Sequence, residues 1–223
     1  MNKIIVYCIL LLFYLGLSKS LSPSEFGINY INSDSLLSQI VPGKPVSVIL
    51  TDIHSTGFLI KTFYHKYKIV YGFQSYEELI VRTSRAYSSK NQKNIGLSVF
   101  RRSNFNEDES FTALPPGSVF IGNKSFGSWV LDDSGDKVWK FFRVYRQLPT
   151  YLGWHNYKPT FSDYSKIKIY KEQNKPFYGP NNDFGTEGKI TKKAFPNFFK
   201  RNKADKIDFK SFLKKYMNEN FIK

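Results

Sequence analysis

Three histidines, His54, His65 and His155, are the residues whose chemistry could most directly support catalysis. Asp52 and His54 lie two positions apart near the end of a β-branched run that predicts a strand. A carboxylate beside an imidazole can act as an acid–base pair or supply two metal ligands. His65 could join them if the next strand folds back. Because the spacing fixes no third ligand, we predict no metal and no cofactor, and Asp52 and His54 remain as candidate catalytic residues.

Other catalytic patterns are missing from the sequence. Cys8, the single cysteine, lies within an N-terminal apolar run, so the chain offers no cysteine nucleophile once that run is removed. The nucleophile elbow Gly-x-Ser-x-Gly, the dinucleotide fingerprint Gly-x-Gly-x-x-Gly and the phosphate-binding P-loop are all absent. These absences favour a non-enzymatic role over an enzymatic one.

Aromatic and basic residues are concentrated in one stretch of the chain. Trp129, Trp139 and Trp154 fall within 26 residues, and Arg143 and Arg146 are interleaved with them. Exposed aromatic rings stack on sugars or bases, while the neighbouring cations meet phosphate or carboxylate. We therefore take Arg143, Arg146 and Trp154 as candidate ligand-binding residues. The alternative is that the large aromatic side chains form a core.

A second group of candidate binding residues lies near the C-terminus. The pattern predicts a last helix over residues 204–221 with Phe209, Phe212, Leu213, Tyr216 and Met217 on its apolar face. Beside that face runs a stripe of lysines at intervals of three or four residues, namely Lys203, Lys206, Lys210 and Lys214. This lysine stripe either contacts an anionic ligand or is an ordinary solvated flank.

The positive charge is unevenly distributed. The chain has 223 residues and a formal net charge of +15, with 33 Lys and Arg against 18 Asp and Glu. Residues 21–136 carry 11 basic and 11 acidic side chains, whereas residues 137–223 carry 20 basic and 7 acidic ones. A genome-wide bias towards lysine codons would affect both parts alike. The asymmetry therefore indicates that the C-terminal part contacts something anionic.

The N-terminus has the pattern of a secretory signal peptide over residues 1–20. Lys3 precedes an apolar run from Ile4 to Leu17, and the small residues Ser18 and Ser20 stand at positions that suit cleavage after Ser20. An uncleaved anchor is the alternative. No other segment approaches the length that spans a membrane, about 20 residues. We expect an exported protein, periplasmic or extracellular, with no transmembrane span in its mature chain.

The strand and helix patterns predict an α+β fold. Short β-like runs bounded by Gly, Pro, Asn or Asp predict a β-rich N-terminal body over residues 21–148, built of antiparallel hairpins and barrel- or sandwich-like. Residues 149–223 are predicted to form a basic helical C-terminal region that is packed on the body or appended to it. The predicted β-like runs cover residues 45–53, 58–63, 67–73, 95–101, 118–121, 128–131 and 137–145.

Four local features are specific enough to place. A hairpin with a three-residue loop ending at Gly135 would set Trp129 opposite Trp139. Residues 33–41 predict a short helix capped by Ser33, and Thr160 with Asp163 predicts a cap for a helix that runs to about Asn174. Residues 76–88 have strand propensity, but a capping box at Ser75-x-x-Glu78 and helical spacing of their apolar residues favour a helix.

Together these patterns predict an exported, non-enzymatic protein whose basic C-terminal region associates with an anionic partner. That partner could be an envelope polymer such as cell-wall glycan or lipopolysaccharide, a lipid surface, or an envelope protein. The alternative is a cell-envelope hydrolase with its site near Asp52 and His54. Nucleic acid fits the charge but not the export pattern, so it ranks last.

Overall fold

The computed structural model describes residues 3–21, 28–57, 61–72, 75–103 and 109–204 of the chain. The described part combines helices with a β-rich body, so the fold is α+β as predicted. The helices are α1 (Lys3–Leu21), α2 (Asp34–Ile40), α3 (Arg85–Lys90), α4 (Leu148–Tyr151), α5 (Phe161–Glu172), α6 (Lys189–Ala194) and α7 (Pro196–Ala204). The strands are β1 (Tyr30–Ile31), β2 (Val46–Thr56), β3 (Thr62–Tyr71), β4 (Tyr76–Thr83), β5 (Ser98–Arg102), β6 (Glu109–Ser110), β7 (Gly127–Leu131) and β8 (Lys137–Phe141).

Six strands form one curled sheet in the order β1-β4-β3-β2-β5-β6. The pairing of β1 with β4 is parallel, and every other neighbouring pair is antiparallel. The long strands β2 and β3 lie at its centre, and the two edge strands have two residues each. β7 and β8 form a separate hairpin.

The sheet is covered on both faces. Alternate residues of β2 point to opposite sides, as the period of two requires. Val46, Val48 and Leu50 face a first core that α2, α3 and Phe198 help to enclose. Ile49 faces a second core, which contains residues of the β7–β8 hairpin and of the C-terminal region. The described C-terminal region therefore shares a core with the β-rich body.

A β-bulge interrupts the alternation of β2. The register with β3 passes from Leu50 opposite Tyr67 directly to Asp52 opposite Lys66, which leaves Thr51 as the extra residue. The Thr51 hydroxyl donates a hydrogen bond to the Lys66 carbonyl at 2.9 Å. Beyond the bulge it is Ile53 that packs against the first core.

The hairpin over residues 129–139 is confirmed with its register. Trp129 pairs directly with Trp139, and the two ring centroids are 5.1 Å apart in an edge-to-face arrangement. The Asp132 amide donates to the Asp136 carbonyl at 2.9 Å. Gly135 has φ +84°, the left-handed conformation that a three-residue hairpin loop requires at that position.

The predicted helix over residues 76–88 is wrong. Residues 76–83 form β4, which pairs with β3 along its whole length, and a helix begins only at Arg85. Ser84, not Ser75, is the N-cap, and its hydroxyl accepts from the Tyr87 amide at 3.1 Å. Long-range backbone pairing with β3 outweighs the local capping pattern at Ser75.

Two strand predictions also need correction. The runs that we predicted separately over residues 58–63 and 67–73 belong to one strand in their described part, because Thr62–Tyr71 is paired on both sides. The run 118–121 forms turns instead of a strand. Gly117, just before it, has φ +85°, a left-handed conformation that glycine adopts readily in turns.

The helix predictions are confirmed at two places. α2 occupies 34–40 with Ser33 at its N-cap. At α5 the Thr160 hydroxyl accepts from the Asp163 amide, and the Asp163 carboxylate accepts from the Thr160 amide, each at 3.1 Å. The sequence did not predict α6 or α7. The helix expected over 204–221 lies, after Ala204, outside the described residues.

The N-terminal helix α1 coincides with the predicted signal segment. Within the described residues, neither α1 nor any other helix is long and apolar enough to cross a bilayer.

Candidate functional site

A short exposed stretch that follows β8 combines cations with apolar side chains. We call residues 140–146 the basic segment. Phe141 and Tyr145 are partly buried and pack against the second core, which anchors the segment. A 3₁₀ turn over Arg143–Tyr145 then fixes its shape, with the Tyr145 amide donating to the Phe142 carbonyl at 2.8 Å. The remaining side chains of the segment therefore stand on a rigid base.

The exposed side chains of the basic segment alternate between cations and hydrophobic groups. Phe142 is 44% exposed and Val144 is 59% exposed, and they lie among the exposed side chains of Lys140, Arg143 and Arg146. In the described part of the chain, none of these three cations pairs with a carboxylate. Their charge is therefore available to an external anion. The structure thus leaves both predicted arginines on the surface.

Trp154, the third predicted residue of this group, lies in the core. It is 2% exposed, and its indole Nε1 donates to the Pro116 carbonyl at 2.8 Å. Its ring packs against Phe141 and Tyr157 at centroid distances of 5.5 and 5.7 Å. Trp139 is likewise 6% exposed. Trp139 and Trp154 thus belong to the second core, and Trp154 offers no ring face to a ligand.

The lysine stripe is described at one position only. Lys203 falls in the last turn of α7, and its side chain is outside the described part. Lys206, Lys210 and Lys214 also lie outside the described residues. Their role stays a prediction.

The two candidate catalytic residues do come together. Asp52 Oδ2 lies 3.3 Å from His54 Nδ1. The other carboxylate oxygen of Asp52 accepts from Nη2 of Arg201 on α7. Burial by itself would raise the pKa of Asp52, but His54 and Arg201 together outweigh it and hold this pKa below its usual value. Asp52 is therefore an ionised carboxylate shared between two basic groups.

The bulge separates His65 from this pair. His54 lies opposite Tyr64 in the register, and their rings stack at 5.3 Å. His65 lies opposite Ile53, so it points to the other face of the sheet. The β3 strand does fold back, as a shared metal site would require. The alternation, however, places His65 on the face opposite to Asp52 and His54.

His65 is instead a buried histidine of the first core face. It is 0% exposed, its Nδ1 lies 2.9 Å from the Tyr67 hydroxyl, and its ring stacks on Tyr87 at 5.6 Å. Burial is the largest cause that lowers the pKa of His65, to about 4; His54 lowers it further and Asp52 opposes the change. The ring is therefore neutral at neutral pH and serves packing.

No group of three His, Cys, Asp or Glu side chains among the described residues could hold a metal ion. A cavity of about 690 Å³ lies beside Ile53 and Phe198, but neither Asp52 nor His54 lines it. Arg201 is 149 residues away from Asp52 in the chain, so no local sequence signal could have predicted their pairing.

Comparison with known proteins adds no relative: no family model, no curated protein and no solved structure matches this chain.

Proposed function

We propose that this is an exported, non-enzymatic protein whose basic C-terminal part, residues 137–223, associates with an anionic lipid surface or polymer of the cell envelope. The observation that carries the proposal is the basic segment, where three cations without acidic partners in the described structure surround the exposed Phe142 and Val144. Cations attract an anionic surface from a distance, and apolar side chains strengthen binding once they enter the headgroup layer.

The wider charge distribution supports the same proposal. Residues 137–204 carry 15 Lys and Arg against 4 Asp and Glu. Of the 12 exposed cations in this range, Lys192 pairs with a carboxylate, that of Glu187, and the others have no acidic partner among the described residues. The exposed apolar side chains favour a lipid surface over a purely polar glycan. A glycan or a protein partner would be an alternative outcome of the test.

Charge reversal in the basic segment is expected to weaken binding to anionic vesicles. In sedimentation with phosphatidylglycerol vesicles, Arg143→Glu/Arg146→Glu should lower the partition coefficient at least about tenfold, since each basic side chain near such a surface contributes roughly 1 kcal/mol. Binding of the unchanged protein should also fall steeply between about 0.05 and 0.5 M salt, because salt screens these charges. Phosphatidylcholine vesicles should bind little.

The matched control is Lys189→Glu/Lys193→Glu on α6, where both lysines are exposed and the net charge changes by the same amount. It should lose clearly less affinity than the arginine variant. Equal losses would mean that only the overall charge matters, and the basic segment would then have no special role. Replacing Lys206, Lys210 and Lys214 by Glu tests the lysine stripe in the same assay, and a loss is expected there as well. Salt-independent binding, or none, would overturn the proposal.

A cell-envelope hydrolase is the second candidate function, and the contact between Asp52 and His54 is the observation that favours it. If the pair is catalytic, Asp52→Ala/His54→Ala should abolish hydrolysis of purified envelope polymers, while His155→Ala, which changes an exposed histidine elsewhere, should leave it intact. Turnover by the unchanged protein that survives the double replacement would dispose of this hydrolase site, and so would the absence of any turnover.

A further inference from the structure

A cavity of about 540 Å³ lies between α5, β5, β6 and the turns over residues 118–125. Its volume is within the range that holds a small organic ligand. One side is formed by Lys168 and Lys171 of α5, and the opposite side by Arg101 and Ser110. No sequence motif pointed to this place, because the elements that enclose it are distant in the chain.

Positively charged side chains predominate among the described residues that line the cavity. Its described lining includes four cations, Arg101, Lys124, Lys168 and Lys171, and no Asp or Glu. Lys168 Nζ lies 4.8 Å from the centroid of the Tyr164 ring, a cation–π contact that holds the ammonium group at this wall. An adjoining depression shares the two α5 lysines.

Arg101 gives this charge a fixed position. Arg101 as a whole is only 4% exposed. Nη1 donates to the Ser98 carbonyl at 2.8 Å, and Nη2 donates to the Thr112 carbonyl at 2.6 Å and to the Ser110 hydroxyl at 2.9 Å. These hydrogen bonds hold the guanidinium group in one position at the cavity wall.

Two hydroxyl groups add neutral donors to the cations. Ser118 lines the cavity, and its Oγ is buried and has no hydrogen-bond partner among the described residues. Ser110 accepts from Arg101, which leaves its own hydroxyl hydrogen to donate. A buried hydroxyl without a partner is costly, and a ligand oxygen would satisfy it. Cations and hydroxyl donors around one space suit the oxygens of a phosphate group.

The rest of the lining is apolar and indicates what carries the phosphate. Leu114, Val119, Ile121 and Ile167 contribute to the same cavity. Free phosphate would leave this surface in contact with water, whereas an ester with an apolar body would cover it.

A backbone hydrogen bond links the loop that lines the cavity to the basic segment. The Phe142 amide donates to the carbonyl of Phe126 at 2.9 Å, and Phe126 directly follows the cavity residues Lys124 and Ser125.

We propose that this cavity binds a phosphate ester with a small apolar body, an inference that rests on the proposed surface association and makes it specific. The ester could be a lipid headgroup or a free organic phosphate, which share the same chemistry.

Titration calorimetry with phenyl phosphate tests this site. The unchanged protein should bind phenyl phosphate saturably and more tightly than inorganic phosphate. Lys124→Gln/Lys168→Gln should weaken binding about tenfold or more, because two charge-assisted contacts are lost. The matched control is Lys166→Gln/Lys175→Gln, which removes the same charge from exposed positions outside the cavity lining and should change affinity less than about twofold. Ser118→Ala, which changes no charge, should also weaken binding.

The outcomes separate this inference from the proposed function. No saturable binding, or equal losses in the cavity variant and its control, would overturn the cavity. Arg143→Glu/Arg146→Glu should keep most of its affinity for phenyl phosphate. If this variant and Lys189→Glu/Lys193→Glu lose vesicle binding equally while both still bind phenyl phosphate, the basic segment is overturned and the cavity is not. Tighter binding of a short-chain phosphatidic acid than of phenyl phosphate would support the site with a lipid as its source, and the reverse order would support it with a free organic phosphate.

Discussion

Replacing Trp154 by alanine is expected to lower the free energy of unfolding by roughly 3–5 kcal/mol, the usual cost of removing a large buried aromatic side chain. The indole is 2% exposed and packs against Phe141 and Tyr157. Its removal also leaves the Pro116 carbonyl without its donor. Urea denaturation followed by circular dichroism measures the change.

Trp154→Phe is the matched control for this prediction. It keeps most of the ring volume and loses the hydrogen bond to the Pro116 carbonyl, so it should cost only about 1–3 kcal/mol. It should also keep full affinity for anionic vesicles, because the side chain is enclosed. A stable Trp154→Ala protein with lost vesicle binding would contradict the core assignment and restore Trp154 as a binding residue.

Acid is expected to destabilise the protein through His65, by roughly 3 kcal/mol between about pH 6.5 and pH 4. The pKa of His65 is about 4 in the folded chain, against 6.5 for an unperturbed histidine. Between these values the unfolded chain binds a proton that the folded chain excludes, so the free energy of unfolding falls as the pH falls. Below pH 4 the contribution levels off, since both states are then protonated.

Asp52, a charged group near His65, acts in a lower pH range than His65 does. Asp52 and His54 influence its pKa, and the hydroxyl of Tyr67 lies against its ring. Because the pKa of Asp52 is lowered, this carboxylate stabilises the fold above the unfolded value of 3.8 and loses that contribution at lower pH. The window assigned to His65 lies above it.

His65→Gln isolates the histidine. Glutamine retains a hydrogen-bonding group for Tyr67 but does not titrate, so the difference in unfolding free energy between the two proteins should change with pH from 4 to 6.5 and be constant above about pH 7.5. Chemical denaturation at a series of pH values gives both curves. Parallel curves would show that the His65 ring takes up a proton without opposing the fold.

Elements with strong local chemistry were predictable from the sequence, and elements decided by distant contacts were not. The β7–β8 register follows from the Asp133-Ser134-Gly135 loop, which fixes how the two strands meet. β4 looked helical because the pattern around Ser75 is a good local cap, but its pairing with β3 is stronger than that preference. No local pattern encodes such pairing.

The candidate sites divide in the same way. Two positions on one strand brought Asp52 and His54 together as expected, whereas the partner Arg201 comes from the other end of the chain. The sequence places Trp154 close to two arginines along the chain. It does not show whether the indole ring is buried or exposed, because aromatic rings are common both in cores and on binding surfaces. Phe142 and Val144 are exposed because their neighbours Phe141 and Tyr145 pack against the second core. The sequence alone does not show which of these side chains point inwards.

The bulge at Thr51 changes which residues of β2 face each side of the sheet. Upstream of it the even-numbered residues Val48 and Leu50 belong to the first core, and downstream the odd-numbered Ile53 does. The extra residue thus lets the apolar side chain of Ile53 face the first core, and it places Asp52 and His54 on the opposite face. Without the bulge, the ionised carboxylate of Asp52 and the imidazole of His54 would face the first core, where an unpaired charge is costly to bury.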